Sequence, residues 1–335
     1  MRVILLAIAG LGVMAVTANA ETYPARSVDI RYAAANITVI PENRTDIAAD
    51  VAAGGRVQAP SVRLDGGRLV IDGGLRNRIR GCSDGAVQIN GLGRVNRTEL
   101  PRITLRVPQS LDLHVGGAAF TSIGESAGGR AAFSGCGDTQ IEEAHGALTV
   151  ALDGSGDVRV TRVSGDLHAS LDGSGDLNVG PVGGDAEASL DGSGDLTVAS
   201  VAGAAAGSLD GSGDLNVGAV GASARVSLDG SGDVEFGSVR AGLQASVDGS
   251  GNIQVAAVEG GQVALALDGS GDVLVRSGAA ERLSARNGGS GNVAFRGRVA
   301  TLVAEIEGSG DIRIDHVDHV ETLRDSGSGS VNFGS

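Results

Sequence analysis

From residue 152 onward, apolar and polar positions alternate in short bursts, and the same burst returns about every nineteen residues. In residues 169–187 the apolar Leu171, Leu177 and Val179 are separated by Asp172, Ser174, Asp176 and Asn178. A period of two predicts strand, with one face buried and the other in water. Val182 follows a short turn at Gly180-Pro181, and Gly183-Gly184 sends the chain into the next unit. Gly173 and Gly175 fall on the inward parity, which predicts that two walls of the unit approach closely there or that the strand bends.

The apolar positions line up from unit to unit. One column runs Leu152, Leu171, Leu190, Leu209, Leu228, Val247, Leu267 and Ile306; a second runs from Val160 through Val198 and Phe236 to Phe333; a third from Val163 to Val258. Ten Gly-Ser-Gly triplets mark the same rhythm, beginning at Gly154, Gly173, Gly192, Gly211, Gly230, Gly249, Gly269, Gly289, Gly308 and Gly327. A fixed period of this length means one supersecondary unit stacked on copies of itself. The fold expected is all-β: a single-stranded parallel β-helix, or β-solenoid, with about 19 residues per coil. Right-handed winding is the default for parallel crossovers. Identical Val and Leu side chains stacked at rung spacing make a thin dry core, each contributing about 1.5–3 kcal/mol.

The rhythm extends upstream. Gly135-Cys136-Gly137 lies 19 residues before Gly154, which puts Cys136 at a serine position, and Gly116-Gly117-Ala118 lies 19 earlier again. Residues 28–39 and 103–115 read as degenerate coils. Residues 73–100 break the pattern and carry Arg76, Arg78, Arg80, Arg94 and Arg97, as a surface excursion would. The expected organisation is a signal over 1–20, degenerate coils over 21–115, and regular coils over 116–335.

Composition narrows function more than fold. Arg2 precedes an apolar run, and Ala18-Asn19-Ala20 is a small-x-small cleavage site, so the first twenty residues read as a secretory signal. The run is shorter than the roughly 20 residues of a membrane span. No transmembrane span is expected after its removal, and the chain is expected in the periplasm, on the outer surface or outside the cell. The net charge is −14, all 26 basic residues are Arg, and Trp is absent. With no Lys, a Walker-type phosphate loop and Schiff-base chemistry are excluded. An acidic chain poor in aromatic residues lacks the attraction and the stacking platforms of a nucleic-acid binder. The 56 glycines do not signal disorder, because they are periodic and in phase with Val, Leu and Ile.

These residues together resemble a known family. A solenoid rich in SGSGD and GSGN, entered through the ITLRVPQSLDLHV stretch after a signal peptide, is similar to the head GIN domain family of autotransporter adhesins, over most of residues 28–335. The resemblance implies an exported parallel β-helix with an adhesive role, and it supplies no catalytic residues. No translocator barrel is expected within residues 28–335, which read as solenoid.

The candidate site residues fall into three groups. The pairs Asp153/Asp157, Asp172/Asp176, Asp191/Asp195, Asp210/Asp214, Asp229/Asp233 and Asp268/Asp272 flank the triplets. Stacked about 4.8 Å apart, two such charges repel by about 0.9 kcal/mol in water. Weak Ca²⁺ binding would relieve this, and DGSGD resembles fragments of calcium loops. The competing and favoured reading is that Asp accepts turn N–H groups. Arg76, Arg78 and Arg80 form a candidate anionic-ligand patch, against the simpler reading of a solvated loop. Cys82 and Cys136, the only cysteines, are candidates for one disulfide in an oxidising compartment, or else two free thiols.

The serine column from Ser155 to Ser328 does not read as a nucleophile, because each copy would need its own base. Two G-x-S-x-G matches, around Ser83 and Ser126, are expected by chance in so glycine-rich a chain. His316 and His319 point to opposite faces at strand spacing, and His114, His145 and His168 read as isolated and exposed. The expected function is therefore an exported, non-enzymatic, adhesin-like protein with no cofactor. Its partner would be a cell-surface or extracellular glycan or protein. The alternatives are a calcium-stabilised structural envelope protein and a polysaccharide-active enzyme on a β-helix.

Overall fold

The computed structural model describes residues 20–83 and 85–335; apart from Ala20, the signal segment lies outside the described residues. The chain is a parallel β-solenoid of about twelve turns with coils of about 19 residues. Short helical structure is confined, among the described residues, to one 3₁₀ turn, Arg97–Glu99.

One regular coil shows the construction. Strand Ala186–Leu190 buries Ala186, Ala188 and Leu190, and strand Leu196–Val201 buries Leu196, Val198 and Val201. Two consecutive outward residues, Ala199 and Ser200, separate the last two buried ones, so this strand bends where strict alternation would have turned a side chain inward. Each strand pairs in parallel register with its equivalents one coil before and after, Leu190 with Leu171 and Leu209, Val198 with Val179 and Val217. The three apolar columns read from the sequence are the core, down to Ile314; Phe333, at the last rung, is exposed. Large and small inward residues compensate between columns. A Cβ on Gly207 would lie 2.8 Å from Leu215 Cδ2 and 3.6 Å from Phe236 Cζ, so the glycine makes room for the bulkier ring.

The triplets are corners and do not continue the strands. Residues 191–195 form a bend between the two strands of the coil. Of the two outcomes expected at the inward glycines, the bend is found, and the close approach is along the stack and not across the coil. A Cβ on Gly192 would sit 2.0 Å from the carbonyl oxygen of Gly173, one coil earlier. Backbone lies on backbone there, and any side chain would force the rungs apart.

The early coils depart from sequence order. Strand Ser27–Glu42 pairs on one side with Ser110–Ile123, which leads into the regular stack. On its other side it pairs with Arg68–Asp72 and Arg102–Pro108. The coil met first in the chain is therefore sandwiched between two that come later. The far edge is closed by antiparallel strands: Ile47–Ala52 on Arg102–Pro108, Glu21–Tyr23 on Ile47–Ala52, and Ser61–Asp65 on Arg68–Asp72. Antiparallel cover of this kind blunts an edge that would otherwise template further pairing.

The Arg-bearing excursion is itself folded. Strands Ile79–Ser83, Ala86–Ile89 and Gly93–Asn96 make a small antiparallel sheet. Val87, Ile89, Val95 and Leu100 pack with Ala34, Ala118 and Phe120 of the coils in a second, smaller core. A disulfide between Cys82 and Cys136 joins the sheet to a coil corner.

Candidate functional site

The two members of each Asp pair play different parts. At the corner, Ser193 N–H and Gly194 N–H both donate to Gly173 C=O, at 2.9 and 3.3 Å. Asp195 N–H then has no carbonyl in line, and donates instead to Asp176 Oδ1 at 3.0 Å. The same bond joins Asp176 to Asp157, Asp214 to Asp195, Asp233 to Asp214, and continues through Asn252 to Asp272. This column is a ladder of side chains completing backbone pairing, as in an Asx turn closed across coils. The other column, Asp153, Asp172, Asp191, Asp210, Asp229, Asp248 and Asp268, is exposed. Within it, Asp248 has its carboxyl pushed above the ordinary range by partial burial, by the charges of Asp229 and Asp268 on either side, and by a hydrogen bond with Asp229. Among the described residues, no three His, Cys, Asp or Glu side chains converge so as to hold a metal ion.

The three arginines of the excursion separate. Arg76 lies over the Tyr32 ring, 5.4 Å from its centroid. Arg78 donates to Asn90 C=O at 2.9 and 3.2 Å, closing the turn that carries the strand Ala86–Ile89 onward. Arg80 is exposed and borders an open depression of about 490 Å³. Its walls include Ile79 and Gly81 from the excursion and Gly117, Gly135 and Asp153 from the coils.

A larger groove, of about 750 Å³, runs along the face built by strands Leu167–Leu171 to Ala279–Asn287. Its outward column is His168, Glu187, Ala206, Arg225, Gln244 and Ala264, on successive rungs. At one rung spacing each, the seven strands span about 29 Å. His168 Nδ1 lies 3.0 Å from Glu187 Oε2. Arg225 is exposed in the middle, flanked by the small Ala206 and Ser223.

His114 is not isolated. Its Nδ1 lies 3.0 Å from Asp29 Oδ1 and its Nε2 lies 3.1 Å from Ser134 Oγ. Asp29, only 5 % exposed, also accepts from Arg31 Nε at 2.7 Å and Nη2, with Arg68 at 3.8 Å. Burial alone would raise the Asp29 pKa; the bonds from Arg31 and His114 outweigh it and hold the carboxyl below the usual range. The arrangement follows from register. Asp29 and His114 are paired neighbours, and Ser134 lies on the next rung beyond, opposite Gly116. Gly116 carries no side chain, and a Cβ there would stand 3.1 Å from Ser134 Oγ, so the imidazole leans across the gap. An extra residue in strand Ser27–Glu42 shifts the register beside Gly116, and Tyr32 there takes a φ of 48°. Sequence reasoning missed this group because the three residues are far apart in the chain. The available signal was an acid in a degenerate strand, VDIR, and a histidine in the similar strand LHV 85 residues later.

The fold and its faces define an all-β repeat protein with an extended lateral surface. The family model described as Toastrack DUF4097 matches residues 25–279, and the chain belongs to that family. Residues 243–334 match the model described as putative auto-transporter adhesin, head GIN domain. No functionally curated protein matches the chain. Among the described residues no helix is long and apolar enough to cross a membrane.

Proposed function

We propose that the protein is exported and acts as a surface-binding, adhesin-like molecule whose ligand is an extended anionic glycan laid along the lateral groove. The observation that carries this is the groove itself: about seven rungs of rigid parallel sheet lined largely by small residues, with Arg225 near its middle and Arg282 toward one end, the acids Asp166, Asp185 and Glu187 being gathered at the other. A regular rung spacing suits a polymer, because successive units can lie along successive rungs and make several weak contacts at once. The likeness of residues 243–334 to an adhesin head domain supports the same reading. Arg80, on the excursion's first strand and outside the groove, offers a second, separate point of contact for negative charge. The test is binding of the purified mature chain to cells and to a panel of charged and neutral polysaccharides. Arg225→Ala should weaken binding to the acidic polymers about tenfold while leaving the melting temperature unchanged. Equal binding of neutral and acidic polymers by both proteins would remove the groove from consideration.

A further inference from the structure

We propose that Ser134, His114 and Asp29 form a nucleophilic constellation that hydrolyses short-chain esters carrying an anionic group, an activity separate from binding along the groove. The partners select the tautomer of the neutral ring. Ionised Asp29 only accepts, so a neutral His114 places its proton on Nδ1 and turns the Nε2 lone pair to Ser134 O–H. A base held in one tautomer by a buried carboxylate, with a serine hydroxyl on its other nitrogen, is recognised by roles and geometry and not by sequence order. Asp29 is a positioning residue, itself fixed by Arg31.

The surroundings distinguish this serine from the ten of the triplets. Ser134 occupies the column that continues as Asp153, outside the repeated Ser positions. A depression of about 490 Å³ lies next to it: Ser134 is not itself in the wall, but Gly135, which follows it in the chain, and Asp153, one rung on in its own column, are. Ile79, Arg80 and Gly81 form the opposite wall, held to the coils through Cys82–Cys136. The excursion thus supplies one part of the wall of this depression and the coils the rest. Arg80 is the cation in its wall, and it selects an ester with negative charge on the acyl or alcohol part. In the reaction, Ser134 Oγ bonds to the ester carbonyl carbon and its proton passes to His114 Nε2. The carbon–oxygen bond to the alcohol breaks, and the alcohol leaves with that proton. Water, deprotonated by His114, then attacks the acyl-serine, releases the carboxylic acid and returns the proton to Ser134.

The test uses the mature, disulfide-bonded chain with a fluorophosphonate, with 4-nitrophenyl acetate, and with the 4-nitrophenyl monoester of succinic acid. The expected result is one fluorophosphonate adduct per chain, mapped by mass spectrometry to Ser134, and turnover of both esters. Ser134→Ala should abolish the adduct. His114→Gln, which keeps a bond to Asp29 but cannot act as the base, should slow ester turnover at least about 100-fold. Arg80→Ser should slow only the succinate ester. Circular dichroism and melting temperature confirm that each variant is folded. Absence of label on Ser134 in the folded protein, or equal turnover by His114→Gln, would overturn the proposal. Equal Arg80→Ser rates relative to wild type on both esters would overturn the anionic substrate. Polysaccharide binding by Ser134→Ala should be unchanged, so failure here leaves the groove reading intact, and failure there leaves this one.

Discussion

Asp29 and Asp248 are aspartates displaced in opposite directions, and they make opposite contributions to stability as pH changes. Asp29 is held below its unfolded value by Arg31 and His114, against burial. Its contribution is fully present above the unfolded carboxylate pKa and is lost as pH falls through the folded one. Asp29→Asn should lower stability at pH 7 by about 1–3 kcal/mol and flatten the acid limb of a melting-temperature series. Asp248 is raised, so what it contributes is present below the unfolded pKa and lost as pH rises through the folded one. Asp248→Asn should raise the melting temperature slightly at pH 7 and have little effect at pH 3. A drop at pH 7 would show that the stacked charges are not in repulsion. At this scale the sequence was partly legible. The inward Val and Leu announced themselves by period, and the turn-accepting role of Asp157, Asp176, Asp195, Asp214, Asp233 and Asp272 followed from turn chemistry. His114 could not be read, because its meaning depends on which strands lie beside it. Nor could Asn287, a buried amide in the Leu267 column, which donates from Nδ2 to Gly291 C=O at 2.9 Å and ties its own corner together.

The elements that carry the stack are the corners as much as the strands. Gly192→Ala puts a Cβ on the carbonyl of Gly173, and the rungs cannot part without losing their pairing. The variant should lose about 1–3 kcal/mol, read from the denaturation midpoint. Asp195→Ala removes the acceptor of Asp214 N–H and should cost about 0.5–2 kcal/mol, close to a lost helix cap. A cost near zero would mean that water replaces the carboxylate without penalty. The excursion is held differently. Its disulfide closes a separation of 54 residues, and a chain-entropy account assigns such a link about 4 kcal/mol. Cys82→Ser should therefore destabilise the small sheet and expose Val87 and Val95, which limited proteolysis at the turn after Ile89 would detect. Strand positions were visible in the sequence because burial imposes a period. The corner was misassigned as strand because glycine carries no polarity signal, and its steric role lies between coils.

For the whole molecule, the exposed acidic column runs over seven successive rungs from Asp153 to Asp268, so salt should stabilise it. Equal ionic strengths of NaCl and CaCl₂ are expected to raise the melting temperature equally, by screening alone. A larger shift with Ca²⁺ would reveal binding to the folded state. Period and stacking were legible from the triplets; the order of the first coils was not, since strand pattern carries no information about which neighbour lies above and which below. That order has a kinetic consequence. Strand Ser27–Glu42 lies between Arg68–Asp72 with Arg102–Pro108 and Ser110–Ile123, so neither of its edges is satisfied until later residues arrive. A chain delivered from its amino end could not crystallise coil upon coil from the first strand, as a simple solenoid can. The local contacts from Leu148 onward close loops of only about a coil's length, and short loops are the fastest to form. Folding should start in these later coils and travel backwards, with the early strands docking last. The depression between Arg80 and Asp153 would then be the final part of the molecule to assemble.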